Sequence, residues 1–153
     1  MSGSTIQERL AWEITPERYR QIRALWVTHS KAEDARDLDG LISTLAPDCL
    51  YEIAPTGQRW EGHAGARAFY TTFLGAFPDV RFAMRDIVIG PQGVIEVTRM
   101  TGTHRGPWAG AAPTGRGVAL DVIIHFPWDP RHEKFAGERI YFDRAALTAD
   151  LGG

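Results

Sequence analysis

Cysteine is almost absent from this chain, which has Cys49 and no second cysteine in 153 residues. An internal disulfide is therefore excluded, and nothing in the sequence indicates secretion. No apolar run approaches the roughly 20 residues that a membrane-spanning helix requires. Lysine and arginine form no dense run, and the net charge is −2, so a nucleic-acid-binding surface is not expected. These absences predict a cytoplasmic protein that binds neither membranes nor nucleic acids.

Metal-binding and phosphate-binding patterns are missing as well. The five histidines show no close paired spacing, and a lone cysteine cannot form a zinc-binding pair. The segment from Gly110 to Gly115 lies between two predicted strands, whereas a phosphate-binding loop precedes a helix. We therefore expect neither a metal nor a cofactor.

The length and composition are typical of one globular domain. A chain of 153 residues with 44% hydrophobic side chains can bury a core without disulfides or metals. Residues 1–12 are polar and predict a flexible N-terminal arm, and residues 13–153 predict a single domain.

Three helices are predicted from the spacing of apolar residues. Thr15-Pro16-Glu17 is typical of a helix start, and this helix should run to about Ala35. Its inward stripe, at spacings of three and four, comprises Tyr19, Ile22, Trp26, His29 and Glu33. A short second helix is predicted over Asp37 to Leu45. A third runs from His63 to about Phe77, with an inward stripe of Ala66, Phe69, Tyr70, Phe73 and Phe77.

The remaining segments predict strands with turns between them. They are Cys49 to Ile53, Arg59 to Glu61, Val80 to Ile89, Val94 to His104, Val118 to Phe126 and Phe135 to Asp143, with a helical tail from Arg144 to Leu151. Along Val118 to Phe126 the even positions from 120 onward are all apolar and the odd positions are mixed, so one strand face is predicted to be buried. Helices followed by antiparallel strands predict an α+β fold with the helices on one face of the sheet.

Short motifs between residues 30 and 152 carry a family resemblance. They are Leu45-Ala46-Pro47-Asp48, Trp60-Glu61-Gly62-His63 with Phe69-Tyr70, Phe77-Pro78-Asp79, Gly102-Thr103-His104, Gly110, Pro113-Thr114-Gly115, and Asp143 with Leu151-Gly152. In their order and spacing the chain resembles the SnoaL-like polyketide cyclases, within the nuclear-transport-factor-two-like and ketosteroid-isomerase-like superfamily.

The resemblance implies a cone-shaped fold. A curved, mostly antiparallel sheet would wrap around three main helices, enclose an internal apolar pocket, and form a homodimer through the sheet. Enzymes of this family need no metal or cofactor and move protons on hydrophobic ring substrates. The expected function is therefore acid/base chemistry, such as cyclisation or isomerisation, on a polyketide-like or polycyclic small molecule.

Isoleucine occupies three positions at which this superfamily carries catalytic groups. By the resemblance, the cyclase histidine falls at Ile124, the cyclase aspartate at Ile140, and the ketosteroid isomerase base at Ile53. Isoleucine transfers no proton, so a non-catalytic small-molecule-binding domain of the same fold is the main alternative. A dehydratase or epoxide hydrolase of the same superfamily is a further one.

Glu138 is the leading candidate for proton transfer. It lies two residues before Ile140 and hence on the same strand face. Burial there would make its carboxyl hard to ionise, which suits a general acid or base. The alternative is a surface glutamate, or one paired with Arg139 or Arg99.

Tyr51, His104 and Asp34 are its candidate partners. Tyr51 shares a strand face with Ile53 and could polarise a carbonyl, or it could be a core tyrosine. His104 ends a strand, where it could titrate at the pocket mouth or hold the next loop by hydrogen bonds to backbone. By the resemblance, Asp34 occupies the position of the aspartate used by dehydratases of this superfamily. The histidine that acts with that aspartate would fall near Asp86, which is not histidine. The alternative is that Asp34 is a solvent-exposed acid at the end of its helix.

Aromatic and aliphatic side chains are expected to form the pocket wall. The predicted substrate-binding residues are Trp26, His29, Trp60, Tyr70, Phe73, Trp108, Ile124 and Ile140.

Overall fold

The computed structural model describes residues 4–152, which form five helices and six strands. The helices are α1 (Ile6–Leu10), α2 (Pro16–Asp34), α3 (Leu38–Ser43), α4 (Gly62–Ala76) and α5 (Arg144–Asp150). The strands are β1 (Leu45–Ile53), β2 (Gln58–Glu61), β3 (Arg81–Gly90), β4 (Gly93–Thr103), β5 (Gly117–Asp129) and β6 (Lys134–Phe142). Within residues 4–152, no helix combines the length and the hydropathy that crossing a membrane requires.

The six strands form one open, mixed sheet in the order β2-β1-β6-β5-β4-β3. Neighbouring strands are antiparallel except β1 and β6, which run parallel. The sheet wraps around the helices, so that α4 packs against β1 while α2 contacts β3 and β4. The predicted α+β fold with a mostly antiparallel, cone-shaped sheet is confirmed.

β5 directs its even-numbered residues into the core. Each of them is at most 6% exposed: Val118, Leu120, Val122, Ile124, Phe126 and Trp128. The odd-numbered residues between them are exposed or half-buried. The predicted alternation is confirmed, and this face of the sheet is the one that meets the helices.

β1 and β5 are longer than the sequence pattern predicts. β1 begins at Leu45 rather than Cys49, and β5 continues to Asp129 rather than ending at Phe126. In both strands the added residues pair with β6, with Leu45 opposite Phe135 in β1. Each pairing has a register shift at this point, and such bulges accommodate the proline that each strand contains. Turn residues in the sequence therefore predicted strand ends too early, because pairing with the distant strand β6 extends both strands.

The segment predicted as an N-terminal arm contains the short helix α1. Thr5 and Glu8 close a capping box, in which Thr5 N donates to Glu8 Oε2 at 2.6 Å and Glu8 N donates to Thr5 Oγ1 at 3.1 Å. Gln92 Nε2 also donates to Arg9 O at 2.7 Å, which ties α1 to the turn between β3 and β4. Residues 1–3 lie outside the described residues, and the division into a flexible arm and one domain stays a prediction.

Gly137 allows β1 and β6 to approach each other closely. Its φ is +114°, and a Cβ at this position would overlap Leu50 O, so glycine is required here. The parallel register places Tyr51 beside Glu138 and Ile53 beside Ile140. Paired residues share a sheet face, and all four side chains therefore belong to the same inner surface.

Candidate active site

Glu138 is buried on the inner face of β6, with 3% of its surface exposed. Its Oε1 accepts hydrogen bonds from the hydroxyls of Tyr51 and Tyr70, at 2.9 and 2.5 Å. Tyr51 reaches it from β1 and Tyr70 from α4, and the two hydroxyl oxygens are 2.8 Å apart. A carboxylate taken out of water requires such donors, and two tyrosines supply them to one oxygen.

His29, on α2, completes this network. Its Nδ1 lies 2.7 Å from Thr44 Oγ1, and that hydroxyl gives its only proton to Leu41 O at 2.7 Å. Nδ1 must therefore carry a hydrogen and donate it to Thr44. Nε2 lies 3.0 Å from Glu138 Oε1, and two unprotonated acceptors would repel each other at that distance. A proton on one of the two would complete a hydrogen bond between His29 and Glu138, and Tyr70 Oη also lies 3.0 Å from Nε2.

The two tyrosines are fixed donors rather than bases. Burial, followed by the charge of Glu138, raises the pKa of Tyr51 and of Tyr70 well above the usual tyrosine value. Both hydroxyls consequently stay protonated near neutral pH. They hold Glu138 in place and stabilise its ionised form.

Glu33 brings a second carboxyl to the network, one helical turn after His29. A carboxyl oxygen of Glu33, one of Glu138 and a ring nitrogen of His29 lie within 4.8 Å of one another. Burial raises the pKa of Glu33 well above its usual value, and the charges of Glu138 and Glu96 raise it further. Two carboxyls this close do not both ionise readily, so Glu33 favours the neutral acid.

Glu96, on β4, is a further acid in this region, and it is buried. It is 7% exposed, and its Oε2 accepts a hydrogen bond from Trp26 Nε1 at 3.0 Å. Burial, followed by the charge of Glu138, raises the pKa of Glu96 to about 7. Glu96 is therefore close to half ionised at neutral pH.

An apolar cavity, here called the chamber, lies in front of Glu138 between the sheet and α4. Glu33 and Glu138 are the acidic residues that line it. Its volume is about 50 Å³, which is room for roughly three or four water molecules. The other lining residues are Ile53, Phe69, Tyr70, Phe73, Phe77, Phe82, Met100, Trp108, Leu120, Val122, Ile124, Ile140, Phe142 and Leu147.

Two further cavities border the chamber, and each shares lining residues with it. A vestibule of about 430 Å³ lies between the β1–β2 turn, the loop that carries Trp108, and α5. It shares four apolar residues with the chamber, namely Ile53, Trp108, Phe142 and Leu147. A side opening of about 180 Å³ lies beside α2 and is lined by Trp26, His29, Ser30, Glu33, Asp34, Phe82, Met84, Glu96 and Phe126. Glu33 and Phe82 border both the side opening and the chamber.

The sequence profile of the SnoaL-like polyketide cyclase family matches residues 17–151. The chain belongs to this family. The matched segment runs from the start of α2 to the end of α5, and it includes every residue of the network around Glu138. No curated protein matches this SnoaL-like chain.

Solved structures share the fold of this SnoaL-like protein. A candidate SnoaL-like polyketide cyclase from Jannaschia sp. CCS1 is 21% identical, with a TM-score of 0.78 over 94% of this chain and 99% of that chain. AclR from Streptomyces galilaeus, named as a candidate hydroxylase, is 22% identical, with a TM-score of 0.70 over 88% and 97%. TerC, crystallised with polyporic acid, is 17% identical, with a TM-score of 0.70 over 87% and 99%. At these identities the likeness shows the fold alone.

Two of the four predicted catalytic residues of this SnoaL-like protein meet in the network. Glu138 and Tyr51 are hydrogen-bonded to each other. Asp34 is exposed at the rim of the side opening. His104 is not among the residues that line the chamber; its Nδ1 lies 3.0 Å from Thr114 Oγ1 and accepts from Thr114 N at 3.3 Å. His104 thus holds the loop after β4, and the catalytic roles of all four residues stay predictions.

The predicted substrate-binding residues divide between the chamber and its surroundings. Those that line the chamber are Tyr70, Phe73, Trp108, Ile124 and Ile140. Trp26 and His29 line the side opening instead. Trp60 packs edge-on against Phe69, with ring centroids 5.2 Å apart. Ile124 and Ile140 are register partners across β5 and β6, so they form a continuous apolar wall.

Glu33 and Glu96 were not selected from the sequence as site residues, although a signal for each is present. Glu33 lies on the inward stripe of α2. Glu96 alternates with Val94 and Thr98, which are both fully buried. The pattern that identifies both residues is an acid on the same face of a helix or strand as buried neighbours.

One trio of groups in the network has spacing suited to a metal ion. It comprises His29, Glu33 and Glu138. However, His29 Nε2 and Glu138 Oε1 already lie within hydrogen-bonding distance of each other, and the same oxygen accepts from two tyrosines. We therefore assign no ion to this site.

Proposed function

We propose that this SnoaL-like protein is a cofactor-free enzyme that performs acid/base chemistry on a hydrophobic, ring-containing small molecule. One observation carries the proposal: Glu138 and His29 form a buried, hydrogen-bonded acid/base pair at the end of an apolar chamber. A proton-transfer group in such surroundings is typical of a catalytic site. The family name supports a polyketide-like substrate, and the structure of TerC with polyporic acid supports a small organic ligand in this fold.

In the proposed mechanism, Glu138 removes a proton from a carbon next to a substrate carbonyl. The electron pair of the broken C–H bond moves to the carbonyl oxygen, and neutral Glu33 donates a hydrogen bond to the resulting enolate. If a neighbouring C=C bond is conjugated with the enolate and Glu138 returns the proton to the far carbon of that bond, the double bond shifts and the substrate is isomerised. If the enolate carbon attacks a second carbonyl, a ring closes and Glu33 protonates the new alkoxide.

The dimensions of the cavities support an elongated substrate. A chamber of about 50 Å³ admits only a small part of a molecule, whereas ligand-sized pockets hold roughly 300–1,000 Å³. The vestibule adds a volume of about 430 Å³, and its lining includes both polar and apolar residues. We therefore place the reacting carbonyl in the chamber beside Glu138 and the bulk of the substrate in the vestibule, beneath Trp108.

The alternative function is non-catalytic binding of a small molecule in the same cavity. The apolar wall of Ile53, Ile124 and Ile140 favours it, because no group on that wall can transfer a proton. Glu138 would then serve to orient a polar end of the ligand. Binding without any turnover is the outcome that distinguishes this alternative.

The test is deuterium incorporation into apolar cyclic ketones of increasing ring number, incubated in D₂O and followed by NMR. The wild-type protein should exchange the hydrogens next to the carbonyl faster than buffer does. Glu138→Gln preserves shape, and we expect it to lower the rate by about 100-fold or more. Glu17→Gln, on the exposed first turn of α2, is the matched control and should retain the wild-type rate.

Two results would contradict the proposal. Equal rates in the wild type and in Glu138→Gln would move the chemistry to another residue. Saturable binding of these ketones with no exchange above buffer would establish the non-catalytic alternative.

We further propose that two copies associate through the outer face of the sheet. Large apolar side chains remain exposed there, among them Val88, Ile95, Ile123 and Tyr141, at 58%, 40%, 44% and 47%. Val88 pairs in register with Ile95, and Ile123 with Tyr141, so they form neighbouring rows. Burial of such a face is the usual basis of homodimers.

The cytoplasmic location stays a prediction.

A further inference from the structure

We infer that the Glu138–His29 pair exchanges protons with water through the side opening, by way of Glu33 and Glu96, while the vestibule admits the substrate. This inference rests on the proposed function, because an acid/base enzyme must restore its protons after each turnover. It assigns a role in proton transfer to two carboxyls that the sequence pattern did not select.

The vestibule is poorly suited to carrying protons. Where it meets the chamber, the walls are the hydrocarbon and ring surfaces of Ile53, Trp108, Phe142 and Leu147. A proton moves along chains of hydrogen-bonding groups or ordered waters, and water is held only where polar partners are available. A substrate that fills the vestibule would, in addition, displace whatever water it contains.

The side opening provides the groups that the vestibule lacks. His29 lines it and also contacts Glu138, at 3.0 Å. Glu33 borders both the chamber and the side opening, and it lies within 4.8 Å of the reacting pair. Glu96 lies on the opposite wall, held by the indole of Trp26 at 3.0 Å. His29, Glu33 and Glu96 therefore line one opening beside Glu138.

The surroundings of Glu96 allow it both to accept and to release a proton. From α2 it is faced by His29, Glu33 and Asp34, and from β6 it feels the charge of Glu138. Its register partners on β3 and β5 are isoleucines and carry no charge. Burial and the negative neighbours bring the pKa of Glu96 to about 7. A relay group works best when its pKa lies near the operating pH.

The experiment measures exchange of the His29 imidazole N–H with water by NMR in the ligand-free, isotope-labelled protein. We expect Glu96→Gln and Glu33→Gln each to slow this exchange by about 10-fold, since an amide cannot relay a proton. The wild-type exchange rate should depend on pH with a midpoint near 7, set by Glu96, and this dependence should disappear in Glu96→Gln. Glutamine can still accept the hydrogen bond of Trp26, so the indole N–H signal reports whether the fold is intact.

Two further variants complete the design. Glu17→Gln should exchange at the wild-type rate. Asp39→Asn, at an exposed position on α3, should also exchange at that rate. Unchanged exchange in both Glu33→Gln and Glu96→Gln would overturn the inference. Because no substrate is used, a failure of the proposed function in the ketone assay is distinguishable from a failure of this proton route.

Discussion

Replacement of Glu96 by glutamine should change how the stability of this protein depends on pH. Glu96 is almost fully buried and faces other acids, and these surroundings favour its neutral form. Its pKa is about 7 in the folded protein, against an ordinary value of 4.5. Glutamine has nearly the same shape and hydrogen-bonding reach toward Trp26, but it does not ionise. The substitution therefore isolates the cost of the charge.

The sign follows from proton binding in the two states. Between pH 4.5 and about 7 the unfolded chain has released the Glu96 proton while the folded chain retains it. Folding stability contributed by this group is therefore present at low pH and is lost as the pH rises toward 7. A gap of about 2.5 pH units corresponds to about 3 kcal/mol. Glu96→Gln should thus gain about 3 kcal/mol relative to wild type between pH 4.5 and pH 8.

Urea unfolding across this pH range is the assay, with the free energy of unfolding extrapolated to water at each pH. The stability curves of wild type and Glu96→Gln should diverge steadily up to neutral pH and run parallel above it. Glu17→Gln, whose carboxyl is exposed, should follow the wild-type curve throughout. Parallel curves for wild type and Glu96→Gln over the whole range would refute the argument that burial holds Glu96 neutral.

Three further outcomes follow from the structure. Gly137→Ala should lower the free energy of unfolding by more than about 2 kcal/mol, because its Cβ would overlap a backbone oxygen. Gly57 has a positive φ but open space around it, so Gly57→Ala should lower the free energy of unfolding by about 1 kcal/mol. Equal urea midpoints for the two variants would contradict this. Tyr70→Phe removes the hydrogen bond to Glu138 and should lower stability by about 1.5–3 kcal/mol in the same assay; an unchanged midpoint would show that the hydroxyl is dispensable. Ile123→Glu should convert a dimer to a monomer in light scattering, and a monomeric wild type would rule out the proposed association.

Sequence patterns predicted most of the inner surface of the fold. The two-residue period along β5 predicted its buried side, and the same rule linked Glu138 to Ile140 and Tyr51 to Ile53. The spacing of three and four along α2 placed His29 and Glu33 on one stripe. Each of these predictions concerns a single helix or strand, in which backbone geometry sets the direction of each side chain.

The sequence predicted the contact partners of those side chains less well. His104 was predicted to end a strand, but β4 ends at Thr103, and His104 bonds Thr114 and holds the loop that follows. Asp34 follows Glu33 by one residue, and this step around the helix leaves it exposed while Glu33 reaches the chamber. A difference of one position on a helix is a rotation of about 100°, which the apolar stripe alone resolves poorly.

By itself, the sequence predicted the buried face of most helices and strands, because periodicity is a property of the local backbone. Tyr19 is an exception, since it lies on the predicted inward stripe of α2 and is 43% exposed. The tertiary structure decided which of them meet. The parallel pairing of β1 with β6 puts Tyr51 beside Glu138, and the path of α2 across the sheet brings His29 and Glu33 to the same carboxyl. Residues separated by as many as 109 positions share this site, and only the packing of whole elements sets their distances. The contact between His29 and Glu138 and the raised pKa of Glu96 both arise from that packing, because the contact depends on the separation of two elements and the pKa on burial beside Glu138.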